Sequence, residues 1–209
     1  MQGQITILAH GFNKSRGDML FLSCGLKARG IDNIAVKLPA RFNTLNNCLD
    51  SLHLQIGNVV KKHKTVNFVG HSMGGLIIRS YINKHQLENV GRCVFIATPH
   101  LGSKLAGISA RIPFYAKIFK PINDLLPSSE NKYLLENKKI EIGIIAGNKN
   151  GTVFGKMFLS KNSDGRVETA SALSDDAKET VVLPCAHKKI HRKKETLDKV
   201  ASFILSGAF

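Results

Sequence analysis

The sequence predicts an α/β fold with a mostly parallel sheet and helices on both faces. Short apolar runs alternate with longer segments of helical periodicity, so that strand and helix follow one another along the chain. A third apolar run, Thr65–Val69, passes into a helical segment through Gly70-His71-Ser72-Met73-Gly74. The Gly-x-Ser-x-Gly spacing sets a serine on a sharp strand-to-helix turn, the connection expected at the carboxyl end of a buried strand.

The elements justify themselves in order. Gln4–Ala9 reads as a buried strand and runs into His10-Gly11-Phe12. Asp18–Ala28 carries Leu20, Phe21, Cys24 and Leu26 on an amphipathic helix closed by Arg29-Gly30. Asn33–Leu38 is the next strand, and Pro39 stops it. Thr44–His63 is a second helix, with Leu45, Cys48, Leu49, Leu52, Ile56, Val59 and Val60 near helical spacing. The helix after Ser72 reads on to Gln86, and Val90–Ala97 is a further strand. Lys104–Glu136 breaks the rhythm: it is rich in Ile, Phe, Leu, Pro and Lys, and reads either as a lid or cap insert or as ordinary helices covering a sheet face. Lys139–Ala146 and Glu179–Leu183 are the last strands, and a helix reaching Leu205 ends the pattern.

Composition narrows the class. A chain of 209 residues suits a single domain, 1–209, built around one core. The 43% hydrophobic content is that of a soluble globule, and no apolar run reaches the ~18 residues of a membrane span. Met1-Gln2-Gly3-Gln4 lacks the basic and apolar regions of a secretory signal. Cys24, Cys48, Cys93 and Cys185 are scattered without metal-binding spacing; Cys24 and Cys93 read as buried free thiols, and a reducing cytoplasmic setting is the simplest. The net charge of +15 peaks at Lys61–Lys64 and Lys188–Lys194, which suits peripheral contact with an anionic membrane or plain solvation. No nucleic-acid-binding motif accompanies the charge.

The turn around Ser72 is where chemistry is expected. Gly70 and Gly74 keep its flanks small, Gly75 lets the helix pack against the sheet, and the helix N-terminus favours negative charge beside the hydroxyl. Gly70–Gly75, with His before the serine and Met-Gly-Gly after it, resembles the nucleophile elbow of α/β-hydrolases in the form common to lipases and esterases. Larger members carry two strands ahead of Gln4, so the chain reads as a minimal version or a truncated one. Thr98-Pro99-His100-Leu101-Gly102-Ser103 resembles a segment of triacylglycerol lipases and inositol deacylases. Asp164-Gly165-Arg166-Val167 resembles the lipase acid loop. His187, Ile190 and Phe203-Ile204 fit the pattern around the lipase histidine, which His191 does not; His191 is expected on the basic helix start.

The resemblance implies a serine hydrolase acting on carboxylic esters. Ser72 is the expected nucleophile, His187 the base, and Asp164 the acid that orients it, with Asp175 and Asp176 as rivals for the acid. The amides of Phe12 and Met73 are expected to form the oxyanion hole. His10, Gly11, His71, His100 and Leu101 are assigned to the substrate side, with His10 also bonding the loop backbone. No metal or organic cofactor is implied. An acyltransferase or a thioesterase would use the same residues, and a non-catalytic membrane-surface module would keep the fold without the chemistry. Thr152–Ser160 has no counterpart in the resemblance, and the basic residues after His187 are heavier than usual.

Overall fold

A computed structural model describes residues 2–111, 120–126, 133–135, 137 and 139–209. Its centre is a six-stranded sheet in the order β2-β1-β3-β4-β5-β6. The strands are β1 (Gln2–Ala9), β2 (Asn33–Ala35), β3 (His63–His71), β4 (Val90–Ile96), β5 (Glu141–Gly147) and β6 (Glu179–Leu183). Every neighbouring pair is parallel. The chain steps outward from β1 to β2, returns to place β3 on the other side of β1, and continues to the far edge. The order therefore reverses between β1 and β3, and in open parallel sheets the crevice beyond the carboxyl ends at such a reversal is where ligands bind. Gly11 follows β1 there and Ser72 follows β3.

Alternation along the strands sorts the core onto two faces. Ile5, Ile7, Val66 and Phe68 pack with Leu52 and Ile56 of α2 (Leu45–Lys62) and Ile77 and Tyr81 of α3 (Met73–His85). Leu8 and Val69 pack on the opposite face with Leu22 and Leu26 of α1 (Leu20–Lys27) and Val200 and Phe203 of the C-terminal helix, Lys194–Ser206. Thr44 caps α2 by accepting from the Asn47 amide. Arg79 of α3 is fully buried, with Asp176 taking both its terminal nitrogens at 2.5 and 2.9 Å and Phe95 under the guanidinium at 4.4 Å.

Several expectations change. The strand read over Asn33–Leu38 pairs only as far as Ala35, because the Leu38 amide turns to donate to His10 Nε2 at 3.1 Å. β3 runs past Val69 to His71, delivering the chain directly into the turn at Ser72. Cys24 is exposed and not buried, since the inward stripe of α1 is Leu22 and Leu26. Of the 104–136 insert, the structure describes α4 (Lys104–Ala110) and α5 (Pro121–Asp124); residues 112–119, 127–132 and 136 lie outside the described residues. Thr152–Ser160, unplaced by sequence, contains the helix α6 (Val153–Phe158). A further short helix, α7, spans Thr169–Ala172, which makes the C-terminal helix α8. Among the described residues, no helix is long and apolar enough to cross a membrane.

Candidate active site

Ser72 sits at φ 55° and ψ −130°, a backbone conformation that side chains other than glycine rarely adopt. Such strain costs of order 1–3 kcal/mol and persists only where the surroundings over-determine it. They do so here: the Ser72 amide donates to the Ile96 carbonyl at 2.9 Å, and α3 begins at the next residue. A Cβ on Gly70 would lie 2.5 Å from the Gly75 Cα, and one on Gly74 would lie 2.4 Å from the Ala9 carbonyl oxygen. These contacts are backbone, so they cannot give way, and the glycine spacing is a packing requirement of the turn.

Two loops from the far side of the sheet meet the serine. The loop after β6 carries His187, whose Nε2 accepts from the Ser72 hydroxyl at 3.0 Å. His187 Nδ1–H donates to Asp164 Oδ2 at 2.6 Å, on the loop between α6 and α7. The second carboxylate oxygen accepts the Arg166 and Val167 amides at 2.9 and 2.8 Å, and the His187 amide donates to the Asp164 carbonyl at 2.9 Å. The acid is thus saturated with donors and the imidazole is held at backbone and ring alike. That fixes a tautomer with a lone pair on the serine side. The rivals for the acid are elsewhere: Asp175 is exposed, and Asp176 is taken by Arg79.

Gly11 closes over the serine, so that an added Cβ would lie 2.8 Å from Ser72 Cβ. Phe12, next along, lines the same cavity as Ser72, and Met73 is the first residue of α3. Met73 thus stands at a helix N-terminus, where negative charge is stabilised. His10 is fully buried behind this loop: Nδ1–H donates to the Gly11 carbonyl at 3.0 Å and Nε2 accepts from Leu38. It bonds the loop backbone on both sides and is not among the residues lining the cavity.

The remaining substrate-side assignments divide. His71 lines the cavity, and its Nε2–H donates to the His187 carbonyl at 3.1 Å. Burial, reinforced by the neighbouring His191 and His187, pushes its pKa well below the ordinary value, so it is neutral. His100 and Leu101 are not among the cavity's lining residues. His100 packs edge-on against Phe95, and burial, with Arg79 nearby, holds its pKa down at about 3. The Leu101 amide donates to the Ser171 carbonyl. His191 is not on an exposed basic helix start: the run Lys188–Lys194 is interrupted by a 3-10 turn, Ile190–Arg192, that buries Ile190 and His191 completely. His191 packs against His71 and faces Asp18, and it is His187 that meets the serine.

The cavity beside Ser72 and His187 holds about 610 Å³, within the ordinary range for small-ligand sites. One wall is apolar, with Leu105, Ala106 and Ile108 from α4, Leu125, Phe158 and Val167. Lys14, Arg166 and Lys188 also line it. Thr152 and Phe158 were not found from sequence. The Thr152 side chain caps α6 by accepting from the Gly155 amide at 2.9 Å and donates to the Gly165 carbonyl at 3.0 Å, tying α6 to the Asp164 loop. The available signal was a threonine placed as an N-cap before Val153-Phe154. Among the described residues, Asp18, His71 and His191 form one group with the donor types and closeness to hold a metal ion.

The model of the palmitoyl protein thioesterase family matches residues 6–137. That span includes Gly11, Phe12, the Ser72 turn and Thr98–Ser103; Asp164 and His187 lie beyond it. Among solved structures, the mature form of the lipase BlEst2 of Bacillus licheniformis superposes with a TM-score of 0.77 at 19% identity, covering 98% of this chain and 91% of that one. A gene product of Listeria innocua follows at TM-score 0.69 and 16% identity, covering 99% of this chain and 95% of that one. Tomato methylketone synthase I matches at TM-score 0.64 and 15% identity over 100% of both chains. No curated protein matches by sequence.

Proposed function

The chain belongs to the palmitoyl protein thioesterase family and has the α/β-hydrolase fold, and on that premise we propose that it is a serine hydrolase of carboxylic esters with an apolar acyl group. The observation that carries this reading is the unbroken run of hydrogen bonds from Ser72 through His187 to Asp164 at the wall of an apolar cavity. In this reading Ser72 Oγ attacks the ester carbonyl while His187 Nε2 takes its proton. The Phe12 and Met73 amides hold the oxyanion, and His187 returns the proton to the departing alcohol. Water activated by His187 then releases the acid. Asp164 orients the ring and stabilises the imidazolium. Residues 1–209 act as one domain, with 104–136 as its lid or cap; α4 and Leu125 at the cavity wall support that placement.

A thioester substrate is the second reading, and the family match favours it. The chemistry differs only in the leaving group. Peripheral contact with an anionic membrane is supported by Lys14, Arg166 and Lys188, which put positive charge at the same cavity as the apolar wall. Hydrolysis of a p-nitrophenyl ester series from acetate to palmitate, beside a palmitoyl thioester, tests the proposal. Rates rising with acyl length are expected. Activity confined to acetate would remove the apolar acyl substrate, and a large preference for the thioester would move the assignment to the second reading. Co-sedimentation with anionic vesicles that weakens as salt rises is the expected membrane result; equal binding to neutral vesicles, or none, would leave the charge as a solvated surface.

A further inference from the structure

A second group of histidines and a carboxylate lies behind Ser72, outside the hydrogen-bonded run. Asp18 comes from the 3-10 turn Arg16–Met19, His71 is the last residue of β3, and His191 belongs to the turn after His187. They are 5%, 2% and 0% exposed. His191 Nε2 stands 3.1 Å from Asp18 Oδ2, and His71 Nδ1 stands 3.9 Å from the same oxygen. Yet His71 Nδ1 and His191 Nδ1 have no hydrogen-bond partner, and Asp18 Oδ2 and His191 Nε2 meet as an ion pair without a well-directed hydrogen bond. Buried polar atoms are almost always paired, so several orphans converging on one point call for an explanation.

We propose that Asp18, His71 and His191 bind a zinc-class divalent cation. One donor atom from each lies within 4.8 Å of the others. Tetrahedral zinc, with bonds of about 2.0–2.2 Å to nitrogen and oxygen, separates its donors by about 3.3 Å, and the distances here straddle that value. The tautomer of His71 is already set for ligation. Its Nε2 faces a carbonyl, which can only accept, so the proton is on Nε2 and the lone pair is on Nδ1. A ligating histidine typically donates its other N–H to such a carbonyl. The Asp18 carboxylate divides its work: Oδ1 takes Arg192 and Lys14, while Oδ2 faces the imidazoles. The His71 and His191 rings are 3.9 Å apart, which brings their nitrogens to one place. Two imidazoles and a carboxylate suit zinc. The ion would join the segment after β1, the end of β3 next to Ser72, and the turn after His187, bracing the loops that meet at the serine. The proposal does not depend on the reaction assigned to that serine.

The test uses the untagged full chain, dialysed free of metal, and titrated with Co²⁺ and with Zn²⁺. Expected are one equivalent bound per chain, the visible absorption of four-coordinate Co²⁺, and a higher melting temperature with Zn²⁺. Cys24→Ser, which removes the exposed thiol, is expected to bind as the parent does, whereas Asp18→Asn and His191→Phe are expected to lose at least tenfold in affinity. Zinc-edge X-ray absorption of the parent protein keeps the question open to disproof even if those variants do not fold. A shell of nitrogen and oxygen near about 2.0–2.1 Å is expected, and a sulfur shell near about 2.3 Å would overturn the assignment. So would the absence of binding by the parent chain, or unchanged affinity in folded Asp18→Asn and His191→Phe proteins; Asp18 and His191 would then be an ion pair only.

Discussion

Two buried groups of aspartate and histidine lie side by side in this molecule, and they are built differently. Around Asp164, each side-chain atom is matched: two amides and an N–H on the carboxylate, a carboxylate and a hydroxyl on the ring. Around Asp18, the same residue types approach as closely but leave buried atoms without hydrogen bonds. The first arrangement runs along a line; the second converges on a point. Residue type and proximity are shared, so it is the direction of lone pairs and N–H groups that separates a proton relay from a candidate ligand set.

Breaking the linear group should cost most. Ser72→Ala is expected to lower ester turnover by roughly 10⁶-fold, by comparison with known serine hydrolases, with an unchanged circular dichroism spectrum. The turn is held by glycine contacts, so folding does not need the hydroxyl. His187→Ala should lose a similar factor, while His191→Ala, measured per folded molecule, should lose less than about tenfold because His191 does not meet the serine. Turnover that collapses with His191→Ala and survives His187→Ala would reverse the assignment. Asp164→Asn is expected to cost about 10⁴-fold in kcat through the wrong imidazole tautomer. Gly11→Ala should come next, near 10²–10³-fold, because its Cβ collides with Ser72 and displaces the Phe12 amide.

A third aspartate sharpens the contrast from the side of stability. Asp176 neutralises fully buried Arg79, and with it the carboxyl is held at about 2. Burial itself opposes that shift, and the Arg79 bonds overcome it. Asp176→Ala is expected to cost about 3–5 kcal/mol of stability, since it strands a buried charge, with kcat per folded molecule near normal. The sign with pH follows: a depressed carboxyl stabilises above its unfolded value of 3.8, and the contribution is lost as pH falls toward 2. His100 acts over a higher range. Its folded pKa of about 3 lies below the ordinary value of 6.5, so between these the unfolded chain binds the extra proton and stability falls with acidification. His100→Phe should flatten that slope by at most about 1.4 kcal/mol per pH unit, read from denaturant midpoints across the range.

Much of this was legible in the sequence because it is local. The elbow spacing, the strand-helix alternation and the Thr44 cap are set by residues within a turn or two of each other. Asp164 and His187 were singled out through short matches, and the fold brings their side chains into contact from positions 23 residues apart. What failed depended on direction. Cys24 and His191 were each placed on the wrong side of a short helical segment, because one or two turns give too little periodicity to say which face is buried. His100 and Leu101 follow β4 as expected and are not among the residues lining the cavity. The partnership of Asp18 with His191 joins the 3-10 turn Arg16–Met19 to the 3-10 turn Ile190–Arg192, and no local pattern could announce it.

The most direct measurement is covalent labelling of the folded protein with a fluorophosphonate, followed by mass spectrometry of the peptides. One adduct, on Ser72, is expected, absent from Ser72→Ala and strongly slowed in His187→Ala. A folded protein that takes no label, or takes it on another residue, would contradict the assignment of Ser72 as the nucleophile.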